Sequence, residues 1–147
     1  MSTSPTMIFV NLPAKDVAAS GAFFSKLGYE INPQFSTDDC ICVVISDTIV
    51  AMVLSESRFS DFTDRPIADA RQTTESIICL SAPSRDAVDE LADNALAAGG
   101  AAHQEAKDEG YMYGRSFCDL DGHIWEVMWM DPAAAAEGAS AIEAQEA

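Results

Sequence analysis

At 147 residues, 48% of them hydrophobic and 22% charged, the chain has the composition of one compact domain or of two small modules sharing a core. Its formal net charge of −16 argues against nucleic acid and anionic membrane surfaces as partners, since both select basic patches. No apolar run approaches the ~20 residues of a membrane span, and no basic segment precedes the short apolar run near the N-terminus. The expected location is therefore the cytoplasm, where the four cysteines are reduced thiols, Cys40 and Cys42 reading best as buried structural residues.

Residues 7–13 read as a strand with Ile8, Val10 and Leu12 on one face. Asp16 is placed to cap a helix over 17–27, whose apolar side is Val17, Phe23, Phe24 and Leu27, and Gly28 suits its C-terminal cap. A second strand starts at Tyr29 and runs to 35, with Pro33 marking a bend or an edge. Residues 41–46 and 48–54 are two β-rich runs separated by an aspartate and read as a hairpin. Cys40 and Cys42 share one face of that hairpin, but no second Cys or His pair completes a closed zinc site.

Residues 55–74 change character and read as a linker with one or two helical turns, Pro66 suiting a first helical position. Phe59 and Phe62 are its apolar residues; a lid, a subunit contact and plain packing are all open readings. The earlier pattern then returns: a strand over 75–81, a helix capped by Ser84, a Gly99-Gly100 stop, a weak strand over 101–105 and a polar turn over 107–110. Two strands follow, 111–118 and 123–130, joined by a turn whose Asp121-Gly122 is a strong hairpin signal. The order is βαβββ (about 7–54), linker (55–74), βαβββ (about 75–131), a structural repeat. The expected fold class is α+β, two βαβββ modules forming a strongly curved mixed sheet around a cavity, with the helices on the convex side. The Ala-rich segment 132–147 reads as a frayed tail or as a helix held against a partner.

Glu126 interrupts an otherwise apolar strand, where a carboxylate has a partner, lines a ligand cavity or faces water. Alternation puts Trp125, Val127 and Trp129 toward the helices with Ile8, Val10 and Leu12. It leaves Glu126, Met128, Phe9 and Asn11 toward the cavity. Arg115 and Tyr113, on the preceding strand, are the candidate cationic and hydroxyl partners; a surface position for Arg115 is the alternative. His123 has the opposite parity to Glu126, so it should not share its site.

Three stretches carry a resemblance. LPAKDVAASGAFFSKLGYE resembles the first-module opening of the vicinal oxygen chelate superfamily, LSAPSRDAVDELADNALAAGG its second-module opening, and GRSFCDLDGHIWEV its closing hairpin, with Leu120 in place of the usual proline. That superfamily includes glyoxalase I, extradiol dioxygenases, and fosfomycin- and bleomycin-resistance proteins. The resemblance implies a metal held by a residue on the first strand, one on the first strand of module two, and a glutamate on the last strand. Glu126 matches the last of these. Phe9 and Ile77 occupy the other two positions, with Glu75 or Ser76 the nearest polar choices, so Glu126 is the one metal ligand implied if a metal binds.

The expected function is therefore binding of a small organic ligand in the sheet cavity by a homodimer, without the usual family metal or another cofactor. Phe9, Asn11, Tyr113, Arg115 and Met128 would line the site, with Glu126 as its catalytic or anchoring group. The alternative is a lyase or isomerase of the lactoylglutathione lyase type, or a dioxygenase, using a divalent metal (Zn, Ni, Fe or Mn).

Overall fold

The computed structural model describes residues 3–138. Strand β1 (Ile8–Ala14) leads into helix α1 (Val17–Lys26), then β2 (Glu30–Ile31), β3 (Cys40–Val44) and β4 (Ile49–Ser55). A short helix α2 (Glu56–Ser60) opens the connection to β5 (Ile77–Ser81) and α3 (Arg85–Ala97). Then come β6 (Ala101–Ala102), β7 (Lys107–Asp108), β8 (Met112–Cys118), β9 (Ile124–Met130) and α4 (Pro132–Glu137). The strands form two mixed, open sheets, one in the order β1-β4-β3-β2 and one in the order β5-β9-β8-β6, with β7 also paired to β8. In each sheet the first strand runs parallel to the last, β1 beside β4 and β5 beside β9.

Local chemistry sets the helix ends. The Asp16 carboxylate accepts from the Ala19 N–H at 3.0 Å and Ser84 Oγ from the Ala87 N–H at 3.1 Å, each satisfying a donor the first turn leaves free. Gly28 and Gly99, at φ of 101° and 105°, take the left-handed backbone that ends both helices.

Four segments depart from the sequence reading. The strand expected over 29–35 stops at Ile31, because Pro33 has no N–H to give the ladder; a 3₁₀ turn, Pro33–Phe35, replaces it, with Asn32 accepting from the Gln34 N–H at 2.9 Å. Pro66 starts no helix: the linker's helical turn lies upstream, where Ser55 Oγ accepts from the Arg58 N–H at 3.2 Å. Lys107 and Asp108 pair with Tyr113 and Gly114 and are a strand rather than a turn. Past Pro132 the chain is helical to Glu137, and Ala134 is buried against Tyr111 and Met112, while residues 139–147 of the expected tail lie outside the described residues.

The core explains how the modules join. Leu12, Ala14, Phe23, Phe24, Val43 and Val53 from the first module form one buried cluster with Leu80, Ala95, Phe117 and Trp125 from the second. Phe24 meets Trp125 edge-on at 5.6 Å between ring centroids, and Phe23 lies 6.4 Å from Phe117. Helix α1 thus packs against its own sheet and against the helix-facing side of the other. Both sheets turn their helix-facing sides to this shared core and leave their opposite faces open, one in each module.

Candidate functional site

Register decides which residues reach each open face. In the β5–β9 ladder Cys79 stands opposite Glu126, and in the β8–β9 ladder Ser116 stands opposite Glu126 and Gly114 opposite Met128. These five share the face turned away from α3. With Met112 and the segment 104–107 they border a pocket of about 230 Å³. A methyl group at Gly114 would make only ordinary contacts, with the Val127 carbonyl at 3.4 Å and the Met128 side chain at 3.9 Å. Ser116 Oγ accepts from the Gln104 N–H at 3.1 Å and ties the covering segment down.

Among the described residues the Glu126 carboxylate, half-buried, has no hydrogen bond or ion pair. Cys79 is exposed and borders the pocket. The surrounding protein and the neighbouring Glu126 charge push its thiol pKa upward, so it rests as a thiol.

Arg115 and Tyr113 are not partners of Glu126. Arg115 pairs with Val127 and Tyr113 with Trp129, which places both side chains on the helix side. The Arg115 guanidinium donates to Asp89 at 3.1 Å and Asp93 at 2.8 Å on α3, and Tyr113 Oη donates to Asp89 at 2.6 Å. Those donors hold the Asp89 carboxyl below its ordinary range. A shift of one residue in hairpin register would have reversed this, and such parity is what sequence alone leaves open. Met128 does share the pocket with Glu126, and Arg115 borders it while its guanidinium is held by Asp89 and Asp93. Phe9 and Asn11 do not border it, because they lie on the open face of the other sheet. Phe9 is 57% exposed, and Asn11 donates from its side-chain amide to the Phe9 carbonyl.

A larger cavity, about 490 Å³, lies where the linker covers the end of β1 and the start of β9, with Phe59, Ile67, Thr73, Ser76 and His123 on its wall. Glu75 and Ser76 are here, away from Glu126. Phe62 is exposed, with the Arg58 guanidinium 5.2 Å over its ring.

One further cluster has metal-ligand chemistry: Asp119, Asp121 and His123, whose donor atoms lie within 4.8 Å of one another. Each is already engaged. Asp119 accepts from the N–H groups of Asp121 and His123 and from Trp125 Nε1, all at 3.0 Å. Asp121 accepts from the Lys15 N–H at 2.9 Å, and His123 Nε2 bonds the Pro13 carbonyl oxygen at 2.8 Å. The turn is a latch that fastens the second module to the β1–α1 corner of the first. Burial pushes the Asp119 pKa up, against the pull of His123 and its three donors.

The comparisons agree on the architecture. The family model for the N-terminal part of bleomycin resistance protein-like proteins matches residues 6–46. A hypothetical protein of S. aureus superposes with a TM-score of 0.72 at 27% identity, over 88% of this chain and 94% of that one. A glyoxalase-related enzyme from Fulvimarina pelagi gives a TM-score of 0.71 at 20% identity, over 84% and 86%. A glyoxalase/bleomycin resistance protein/dioxygenase family enzyme from Burkholderia phytofirmans gives 0.68 at 15%, over 83% and 96%. The chain has the fold of glyoxalase/bleomycin resistance/dioxygenase proteins, the fold expected from its resemblance to the vicinal oxygen chelate superfamily. No curated protein matches its sequence.

The resemblance to that superfamily implies a divalent metal, and the residues present do not fit the usual site. Phe9 and Ile77, on the first strands of the two modules, are hydrocarbon and more than half exposed. Met52 stands opposite Asn11 where the second module has Glu126 opposite Cys79. A hard or borderline ion needs three or four nitrogen, oxygen or thiolate donors, and Glu126 supplies one oxygen ligand.

Proposed function

We propose that this vicinal oxygen chelate protein binds a small organic ligand on the open face of its second module, without the usual superfamily metal, and that two copies of the chain complete the site. One observation carries the reading: Glu126 presents an unpartnered carboxylate to a pocket that it shares with Cys79, Met112, Gly114 and Met128, with Gln104, Glu105, Lys107 and Ser116 on its polar side. A few polar groups in a mostly apolar concavity describe a small-molecule site. The carboxylate accepts a hydrogen bond or a positive charge from the ligand, and the flexible thioethers pack on its apolar body.

The second copy is argued from the edges. Strands β1 and β5 each end a sheet, and there Ile8, Phe9 and Ile77 are 54%, 57% and 53% exposed. Such an edge invites pairing with another chain. A partner copy that brings its β1 alongside β5 sets its Phe9 and Asn11 over the Glu126 pocket, in the combination expected from alternation. Glu126 can also act as a base toward a proton next to a carbonyl. Turnover of a bound compound that stops in Glu126→Gln would favour the lyase or isomerase reading. Sequestration predicts saturable binding, with the compound recovered unchanged. In solution the mass should be that of two chains, and Phe9→Glu should give single chains with ligand affinity reduced at least tenfold. Single wild-type chains that bind ligand normally would refute the two-copy site.

A further inference from the structure

Residues 61–76, between α2 and β5, are neither helix nor strand. Connections longer than about 12–15 residues are uncommon inside a compact domain, and they are either disordered or functional. This one is tied down. The Asp69 carboxylate accepts from the Arg71 N–H at 3.0 Å, the Asp69 carbonyl accepts from the Gln72 and Thr73 N–H groups at 3.0 Å, and the Arg71 guanidinium donates to the Leu120 carbonyl. The backbone at Arg71 presses on Gly122, where an added methyl group would come within 2.8 Å of the Arg71 side chain and 3.1 Å of its nitrogen. An ordered loop ordinarily packs on its own side chains. Here it arches over a cavity of about 490 Å³, a volume suited to a small molecule. Leu12 of β1 and Ile124 of β9 meet Phe59, Pro66 and Ile67 on its apolar wall, and the hydroxyls of Thr63, Thr74 and Ser76 border it.

Charge distinguishes this cavity from the rest of the molecule. The chain has 24 acidic and 8 basic side chains, so an arginine has many carboxylates to choose from. Arg58 pairs with Asp61, Arg85 with Asp108, and Arg115 with Asp89 and Asp93, while Arg71 holds the Leu120 carbonyl. Among the described residues the guanidinium of Arg65 has no such partner, and Arg65 borders the cavity from an exposed position. Glu75 is the one carboxylate on the wall, and it does not pair with Arg65. The two charges cancel, so the wall is locally neutral in a chain of net charge −16. The other acidic groups of this corner, Glu56, Asp69 and Asp121, border an adjoining pocket of about 300 Å³ together with Lys15. A guanidinium meets a carboxylate with two parallel hydrogen bonds, a geometry that suits an organic acid.

We propose that the cavity under the inter-module loop is a second binding site, for a small organic monoanion: one carboxylate on an apolar body. Arg65 holds the carboxylate at the exposed edge, and Phe59, Ile67 and Ile124 cover the body. Glu75 opposes a second negative charge, so the site selects a monoanion over a dianion. The cavity shares no lining residue with the Glu126 pocket, and the proposal does not rest on the reading given for that pocket.

The test is isothermal titration calorimetry of the full-length chain with hexanoate, benzoate and 3-phenylpropionate, each beside its uncharged primary amide. At least one acid should saturate at one per chain, and its amide should bind at least tenfold more weakly. Arg65→Gln should weaken that acid at least tenfold with an unchanged melting temperature, because the side chain it removes is exposed and holds no part of the fold. Phenylsuccinate, which adds a second carboxylate, should bind more weakly than 3-phenylpropionate. Glu126→Gln should bind the acid as wild type does. The proposal is overturned if none of the three acids saturates, if the amide binds as tightly as its acid, or if Arg65→Gln keeps wild-type affinity. It is equally overturned if phenylsuccinate binds more tightly than 3-phenylpropionate, or if Glu126→Gln abolishes binding and so moves the acid to the other pocket.

Discussion

The two open faces are built alike and furnished differently. Both sheets have the same strand order, and in both the first strand lies parallel to the last. At the matching place in the ladder the first module pairs Asn11 with Met52, and the second pairs Cys79 with Glu126. The first face is roofed by the 3₁₀ turn and α2, with Phe35, Arg58 and Phe62 around Cys40 and Met52. The second is bordered by the segment 104–107 and holds the Glu126 carboxylate. Duplicated backbone thus leaves chemistry free to concentrate on one side, while the helix-facing sides merge into one core.

The largest effect should come from breaking what the modules share. Trp125 is 1% exposed and touches Phe24 across the module boundary. Trp125→Ala should cost ~3–5 kcal/mol in chemical denaturation. Both modules should then unfold together, seen as coincident near-ultraviolet and far-ultraviolet circular dichroism transitions. Next comes the latch. Asp119→Ala leaves the buried Trp125 indole N–H and two backbone N–H groups without their acceptor, and should cost ~2–3 kcal/mol by the same assay.

A smaller effect is read through pH. Burial raises the Tyr29 pKa to about 12 from its ordinary value of 10.0. The neutral phenol is thus favoured in the fold, and its contribution is fully present below the unfolded value. It is lost as pH rises toward the folded one, at no more than ~1.4 kcal/mol per pH unit. Stability of the wild type should fall more steeply than that of Tyr29→Phe over this alkaline window and run parallel to it below. Parallel curves throughout would place Tyr29 in water.

Much of this was legible in the sequence, and for stated reasons. Asp16, Ser84, Gly28 and the Asp121-Gly122 turn act locally, so the helices and the closing hairpin follow from short-range chemistry. Alternation alone put Trp125 and Val127 inward and Glu126 outward. Long-range geometry was not legible. Arg115 was a candidate partner for Glu126 because hairpin register was open by one residue, and that residue decides between the pocket and Asp89 and Asp93. Phe9 and Asn11 were placed with Glu126 because alternation specifies a face of a sheet, not which sheet.

The most direct measurement is a ligand-observed NMR screen of a small organic library against wild type, Glu126→Gln and Met52→Leu. The two substitutions fall at matching places on the two open faces, and neither should change the melting temperature by more than a degree or two. The account predicts compounds whose binding disappears in Glu126→Gln and persists in Met52→Leu. Compounds that bind Glu126→Gln as well as wild type and lose binding in Met52→Leu would contradict it and move the site to the first module.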